Sequence, residues 1–413
     1  MKRFHLTLAK CVTVRCIALL LFAACASHPP PLPANAGKMG NVQLPGVSSI
    51  PGTFKFIGQP IYGSCRRILS IDGGGIKGVI PAMILEAIEK DTGRPISALF
   101  DVVVGTSTGA ILALGLARPD DGDAQKPAFR AADLVALYRK DGSTIFPSSP
   151  FTFRGLKRLF RPKYGSQGID RVLERIFADV NMQEALTHVI VPAYELEERR
   201  HIWFNSWANN APYYLMKDIV RGSTAAPTYL PPVRIAAPTT DSRKGYYVLI
   251  DGGVFANNPA LTAMAQGVEL GEHSDAFFLL SLGTGINDDQ SPAYSYQKLW
   301  SAGVVQWIGP LLDIGLSDPS IDDEVRRFAA KDGNTYIRLQ VHLSGRDVAL
   351  DDASAVGPLT RATNEYLATN HDKIEQIAHA LLLPRPPRCK MLPGPDIEPR
   401  LGPRKRPSPI PPR

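Results

Sequence analysis

The stretch DVVVGTSTGA, residues 101–110, decides how this chain is read. Three valines run into Gly105. Ser107 then stands between two threonines, ahead of Gly109 and the apolar run AILALGLA. β-Branched residues suit a strand, and an apolar run without polar interruption suits a buried helix, so the stretch predicts strand, tight turn, helix. A serine on such a turn, framed by Gly105 and Gly109 as G-x-S-x-G, has the pattern of a nucleophile elbow, where small neighbours let the turn form and expose the hydroxyl. Two questions follow: what takes the Ser107 proton, and what the oxygen attacks.

Outward from this stretch, strand and helix patterns alternate. RRILSI (66–71), LFDVVV (99–104), HVIVPAYEL (188–196), RRHIWFNS (199–206), YYVLI (246–250) and AFFLLSLGTG (276–285) read as strands. GVIPAMILEAIEK (78–90) has helical spacing, and NPALTAMAQGVEL (258–270) reads as a helix. The alternation predicts an α/β fold with a mainly parallel central sheet. Beyond about residue 290 the pattern is mostly helical, with one strand at TYIRLQV (335–341).

Two further glycine motifs follow strands. In SIDGGGIKG (70–78) the glycines let backbone amides approach a ligand, and the next helix points its N-terminus the same way, which suits a developing oxyanion. The same run also fits a dinucleotide fingerprint through Gly73, Gly75 and Gly78, with Glu89 or Asp91 near the ribose-binding distance. A second catalytic-type turn at Ser107 weighs against that alternative. In IDGGVFANNPA (250–260), Asp251 ends a strand beside Gly252 and Gly253. A carboxylate there can cap a helix, or serve as the base that Ser107 needs. Ligands of α/β sheets gather at the carboxyl ends of strands, so the three motifs are expected to converge.

In this order DGGGIKG, GTSTG, STAAPTYLPP (223–232), DGGVFANNPA and LLSLGTG (279–285) resemble the motifs of patatin-like phospholipases, over roughly residues 66–290. The resemblance implies a patatin-like three-layer α/β fold and lipid acyl hydrolysis by a Ser–Asp dyad. Ser107 would be the nucleophile and Asp251 the general base, with an oxyanion hole from Gly73, Gly74 and Gly75. Gly78, Gly105, Gly109, Gly252 and Gly253 are the remaining motif glycines. Lys77 fills the basic position of the family's loop and is a candidate contact for anionic head groups. The implied partner is lipid at a membrane surface, and the dyad requires neither cofactor nor metal.

A dyad carries a physical tension. Free Asp ionises near pH 3.9, well below the optimum for a base at neutral pH. The carboxylate must therefore be desolvated to raise its basicity. A Ser–Asp–His order also stands open, because His273, His342, His371 and His379 follow Asp251. His188 and His201 sit in or beside strands and read as packing residues.

Composition bounds the rest. At 413 residues and 44% hydrophobic, the chain can bury a large core. The net charge of +7 is misleading: residues 1–24 carry +4 and residues 384–413 carry +6, leaving −3 for the body. No basic face interleaved with aromatics is visible, which argues against nucleic-acid binding by the body. Residues 1–24 read as a secretory signal, with an apolar core too short to span a bilayer. FAAC (22–25) resembles a bacterial lipoprotein box with Cys25 as the lipidated residue, and ordinary cleavage at a small residue is the alternative. The expected organisation is signal (1–24), Pro/Gly-rich tether (25–65), catalytic domain (66–290), a mostly helical C-terminal part (291–383) and a basic Pro-rich tail (384–413). Lipid anchoring in the cell envelope follows if Cys25 is modified, and periplasmic location or secretion if it is not. Cys65 and Cys389 lack metal-ligand spacing; in an oxidising compartment they are able to pair.

Overall fold

The run RRILSI forms β1 (Arg66–Ile71), and VVVG forms β2 (Val102–Gly105) parallel to it, with Ile68 opposite Val102 and Ile71 opposite Gly105. The computed structural model describes residues 66–145, 162–207, 214–237, 242, 244–269, 276–287, 320–330, 334–343 and 348–385. All of these belong to one of two units into which the chain divides, 59–289 with 314–413. Both strands are buried along their whole length, which is why they read as continuous apolar runs rather than as an alternation.

The remaining strands are β3 (His188–Glu195), β4 (Arg200–Asn205), β5 (Val233–Ala236), β6 (Tyr246–Asp251), β7 (Phe277–Leu282), β8 (Ile286–Asn287), β9 (Thr335–Leu339) and β10 (His342–Leu343). The central sheet has the order β5-β6-β3-β2-β1-β7-β9, and β4 pairs with β3. Neighbours from β3 through β9 run parallel. β4 and β6 run antiparallel to β3, and β5 antiparallel to β6. The mainly parallel α/β architecture expected from the sequence is thus present. β8 and β10 make a separate two-stranded pair.

Among the described residues the longer helices are α1 (Val79–Thr92), α2 (Thr108–Ala117), α3 (Ala131–Ile145), α4 (Gln167–Phe177), α5 (Met216–Ser223), α6 (Ala260–Glu269), α7 (Ser320–Ala329), α8 (Val356–Thr369) and α9 (His371–Leu382). They cover both faces of the sheet, because alternate strand residues point to opposite sides. Leu69, Ile71, Val103 and Val191 join one core with residues of α1 to α5, α8 and α9. Ile68, Val102, Val104 and Ile190 join the other with Ala260, Ala263, Met264, Val325 and Ala329. The C-terminal part contributes to this same body: β9 pairs with β7, and α8 and α9 pack on α1.

One feature of register positions the site. β4 occupies one edge of β3 from Ile190 to Glu195. On the other edge, β2 pairs with His188–Ile190 and β6 with Ala193–Glu195. β2 and β6 therefore approach each other from opposite ends along the same edge, separated by Val191 and Pro192. Their chain ends, just past Gly105 and at Asp251, meet over that gap.

The expected signal, Cys25, the tether with Cys65, His273, Cys389 and the tail beyond Arg385 lie outside the described residues.

Candidate active site

Ser107 sits where β2 turns into α2, with φ 54° and ψ −117°. A positive φ in a non-glycine residue stores about 1–3 kcal/mol and persists only where the surroundings hold it. The surroundings here are tight. A Cβ on Gly105 would stand 2.1 Å from the Gly109 carbonyl oxygen, and one on Gly109 2.4 Å from that of Ile71. Both glycines of G-x-S-x-G are therefore required by close backbone approach.

The Ser107 hydroxyl donates to Asp251 Oδ2 at 2.7 Å. Asp251 Oδ1 accepts the Gly253 N–H at 2.7 Å. Asp251 is 5% exposed, and burial pushes its carboxyl up to about 7, against the opposing pull of the Gly253 N–H and the Ser107 hydroxyl. Burial thus brings the Asp251 carboxyl close to neutral pH, where a carboxylate is able to exchange a proton.

The loop after β1 lies against this pair. A Cβ on Gly73 would come within 3.4 Å of Ser107 Cβ. The three glycines expected as oxyanion donors do not act alike. The Gly73 N–H donates to the Asn257 carbonyl at 3.0 Å. The N–H groups of Gly74 and Gly75 meet no protein acceptor among the described residues. Gly75 has φ 58°, and a Cβ there would lie 2.2 Å from the Leu350 carbonyl oxygen. Thr108 N–H, at the first position of α2, also has no acceptor there, as expected for the first turn of a helix. Sequence reading overlooked Thr108, although the elbow pattern places the following N–H beside the oxyanion.

The loop is anchored from the C-terminal part. Arg338 on β9 donates from Nη1 to Asp72 Oδ1 at 2.9 Å and from Nη2 to Asp72 Oδ2 at 2.5 Å, with a further bond to Ser281 Oγ at 2.8 Å. Thr284 Oγ1 donates to the Gly73 carbonyl at 2.9 Å, and Ile76 N–H to the Leu350 carbonyl at 2.8 Å. Gly78 allows close packing, since a Cβ there would meet Thr108 Oγ1 and Tyr138 Oη. Gly252 does likewise against the Pro192 carbonyl, 2.3 Å from the position of a Cβ. Lys77 is half-buried on the 3₁₀ turn Gly75–Gly78.

The competing readings fare differently. Glu89, the ribose-binding alternative, is buried and accepts from Ile96 N–H, Ala131 N–H and Arg130 Nε, so it holds α1 to α3. Among the described residues no histidine hydrogen-bonds to Ser107 or Asp251. His371 and His379 lie on the exposed side of α9, and His342 is exposed on β10. His188 stands edge-on to Trp207 at 4.6 Å, and His201 stacks on Phe255 at 4.0 Å.

Comparison with known proteins finds relatives over most of this chain. The family model "Patatin-like phospholipase" matches residues 69–264. A protein of Solanum tuberosum named "Probable inactive patatin-3-Kuras 1" is 30% identical over 334 residues, covering 75% of this chain and 86% of its own. "Patatin-like protein 2" of Arabidopsis thaliana is 31% identical over 351 residues, covering 76% and 84%. "Patatin-like protein 1" of Oryza sativa subsp. indica is 32% identical over 338 residues, covering 72% and 80%. With likeness of this extent laid over a sheet that brings all three glycine motifs together, the chain belongs to the patatin-like phospholipase family.

Proposed function

We propose that the protein is a lipid acyl hydrolase that cleaves carboxylic esters through an acyl-enzyme on Ser107, with Asp251 as general base. The observation that carries this reading is the 2.7 Å bond between the hydroxyl of a strained elbow serine and a buried carboxylate poised near neutral pH. In the first step Ser107 Oγ attacks the ester carbonyl carbon while its proton passes to Asp251 Oδ2. The oxyanion is received by the N–H groups of Gly74, Gly75 and Thr108, each donor of this kind being worth roughly 2.7–4 kcal/mol. Collapse expels the alcohol portion, which takes the proton back from Asp251. Water, deprotonated by the same carboxylate, then releases the fatty acid and restores Ser107. If an alcohol replaces that water, the protein is a transacylase of the same fold.

The test combines labelling and turnover. A serine-reactive fluorophosphonate is expected to label the parent protein at Ser107 and to leave Ser107→Ala unlabelled. The parent should release free fatty acid from defined phospholipids or lysophospholipids, and Ser107→Ala should not. A folded parent that neither labels nor turns over any lipid would leave a silent lipid-binding protein, the reading from another class. On sequence support alone, the proposal extends to export, with lipid attached at Cys25.

A further inference from the structure

The STAAP segment contributes nothing to the chemistry above, yet it touches both members of the pair. α5 ends at Ser223, whose side chain is fully buried. The helix lies close on β6 because Gly222 has no side chain: a Cβ there would stand 2.6 Å from Leu249 Cδ1. From this position Ser223 Oγ accepts the Ser107 N–H at 3.0 Å and donates to the Pro192 carbonyl at 2.7 Å. A hydroxyl has a single proton, so the two bonds assign its roles without ambiguity: acceptor toward the nucleophile, donor toward β3. Two residues on, the Ala225 carbonyl accepts the Asp251 N–H at 3.0 Å. Residues 223–225 thus hold the main chain of the nucleophile and the main chain of the base.

We infer that Ser223 is a positioning residue that keeps Ser107 in its reactive conformation. This inference rests on the reading of Ser107 as the nucleophile. The physical ground is the gap in the ladder. Pro192 lies between the stretches of β3 paired with β2 and with β6, so its carbonyl has no strand donor on that edge. The Ser107 N–H, at a turn with φ 54°, has no helical or strand acceptor. One buried hydroxyl satisfies both groups and ties the elbow to the centre of the sheet. The direction of the Ser107 N–H also fixes the rotation of the peptide plane before it. With that N–H held by Ser223, φ stays positive and Oγ points at Asp251. Without the acceptor, the plane is able to relax toward negative φ, which turns Oγ away from the carboxylate.

The experiment compares Ser223→Ala, Ser223→Thr and Ser223→Cys with the parent protein. It measures the fluorophosphonate labelling rate at Ser107, kcat and KM on a soluble short-chain ester, and thermal midpoint. Positioning predicts that Ser223→Ala lowers the labelling rate and kcat per folded molecule by about tenfold or more while KM stays within about twofold. Ser223→Thr, which keeps the hydroxyl, should recover most of the rate, and Ser223→Cys, a poor acceptor, should fall in between. If Ser223→Ala does not fold, Ser223→Cys decides by the same comparison. Folded variants that label at the parental rate overturn the inference, as does a loss that only follows the folded fraction. A parent protein unlabelled at Ser107 would instead overturn the underlying assignment of the nucleophile.

Discussion

On the proposed mechanism, Asp251 sets how activity and stability depend on pH. Its carboxyl must be ionised to accept the Ser107 proton, and burial raises it to about 7. The rate of ester hydrolysis should therefore rise with pH through about 7 and level off above it, a limb readable in a kcat/KM profile. Asp251→Asn should lose roughly 10²–10⁴-fold in kcat, the usual contribution of a general base. Stability should move the opposite way. The unfolded chain ionises this group near 3.9 and the folded chain near 7, so the folded state holds the extra proton between those values. Raising pH through that window favours unfolding, by on the order of 4 kcal/mol once complete. Asp251→Asn avoids this cost and keeps an acceptor for Gly253 N–H. Its thermal midpoint should exceed the parent's at pH 8 and approach it at pH 4; an equal shift at both would show that charge burial is not the source. For Lys77, half-buried on the turn after the glycine loop, Lys77→Ala should slow hydrolysis of anionic phospholipids more than of neutral esters. Added salt should narrow that difference.

At the scale of elements, the elbow is a contact between backbones. Gly109→Ala would place a methyl 2.4 Å from the Ile71 carbonyl oxygen, where only main chain is able to move. Overpacking of this kind costs about 1–3 kcal/mol, and here it also displaces the turn, so fluorophosphonate labelling should fall together with the thermal midpoint. These elements were legible in the sequence because their causes are local. The valines of β2, the apolar run of α2 and the glycines between them declare strand, turn and helix from neighbouring residues. The bond from the Gly73 N–H to the Asn257 carbonyl spans 184 positions and leaves no mark in the pattern of the loop. Ser223 belongs to the STAAPTYLPP motif, but its link to Ser107 crosses 116 positions. Burial of Asp251 was a requirement of the chemistry before the packing of the sheet supplied it.

At the scale of the whole molecule, the glycine loop after β1 is held by residues outside the span matched by the family model. Arg338 grips Asp72 from β9, and Leu350 receives the Ile76 N–H. Removing one partner of a buried ion pair leaves an uncompensated charge and costs about 3–5 kcal/mol. Arg338→Met should therefore destabilise the protein by about that amount in chemical denaturation, and the folded fraction should turn over slowly because its loop is loose. A chain stopped before β9 should fail likewise. Sequence reading placed a strand at TYIRLQV but could not assign it to the edge beside β7, since edge order depends on pairing across the intervening chain.

The head-on approach of β2 and β6 along β3 makes Val191–Pro192 a ruler. Separation of Ser107 and Asp251 is counted in residues of a third strand, so it is protected against slow spreading between strands and exposed to any change in chain length. One residue inserted between Ile190 and Ala193 would push Asp251 away by about 3.3 Å and turn its side chain to the opposite face of the sheet. The hairpin tip at 196–199 carries no such count. Over evolutionary time, insertions and deletions should accumulate at that tip and be purged from the dipeptide, whatever amino acids the two positions come to hold.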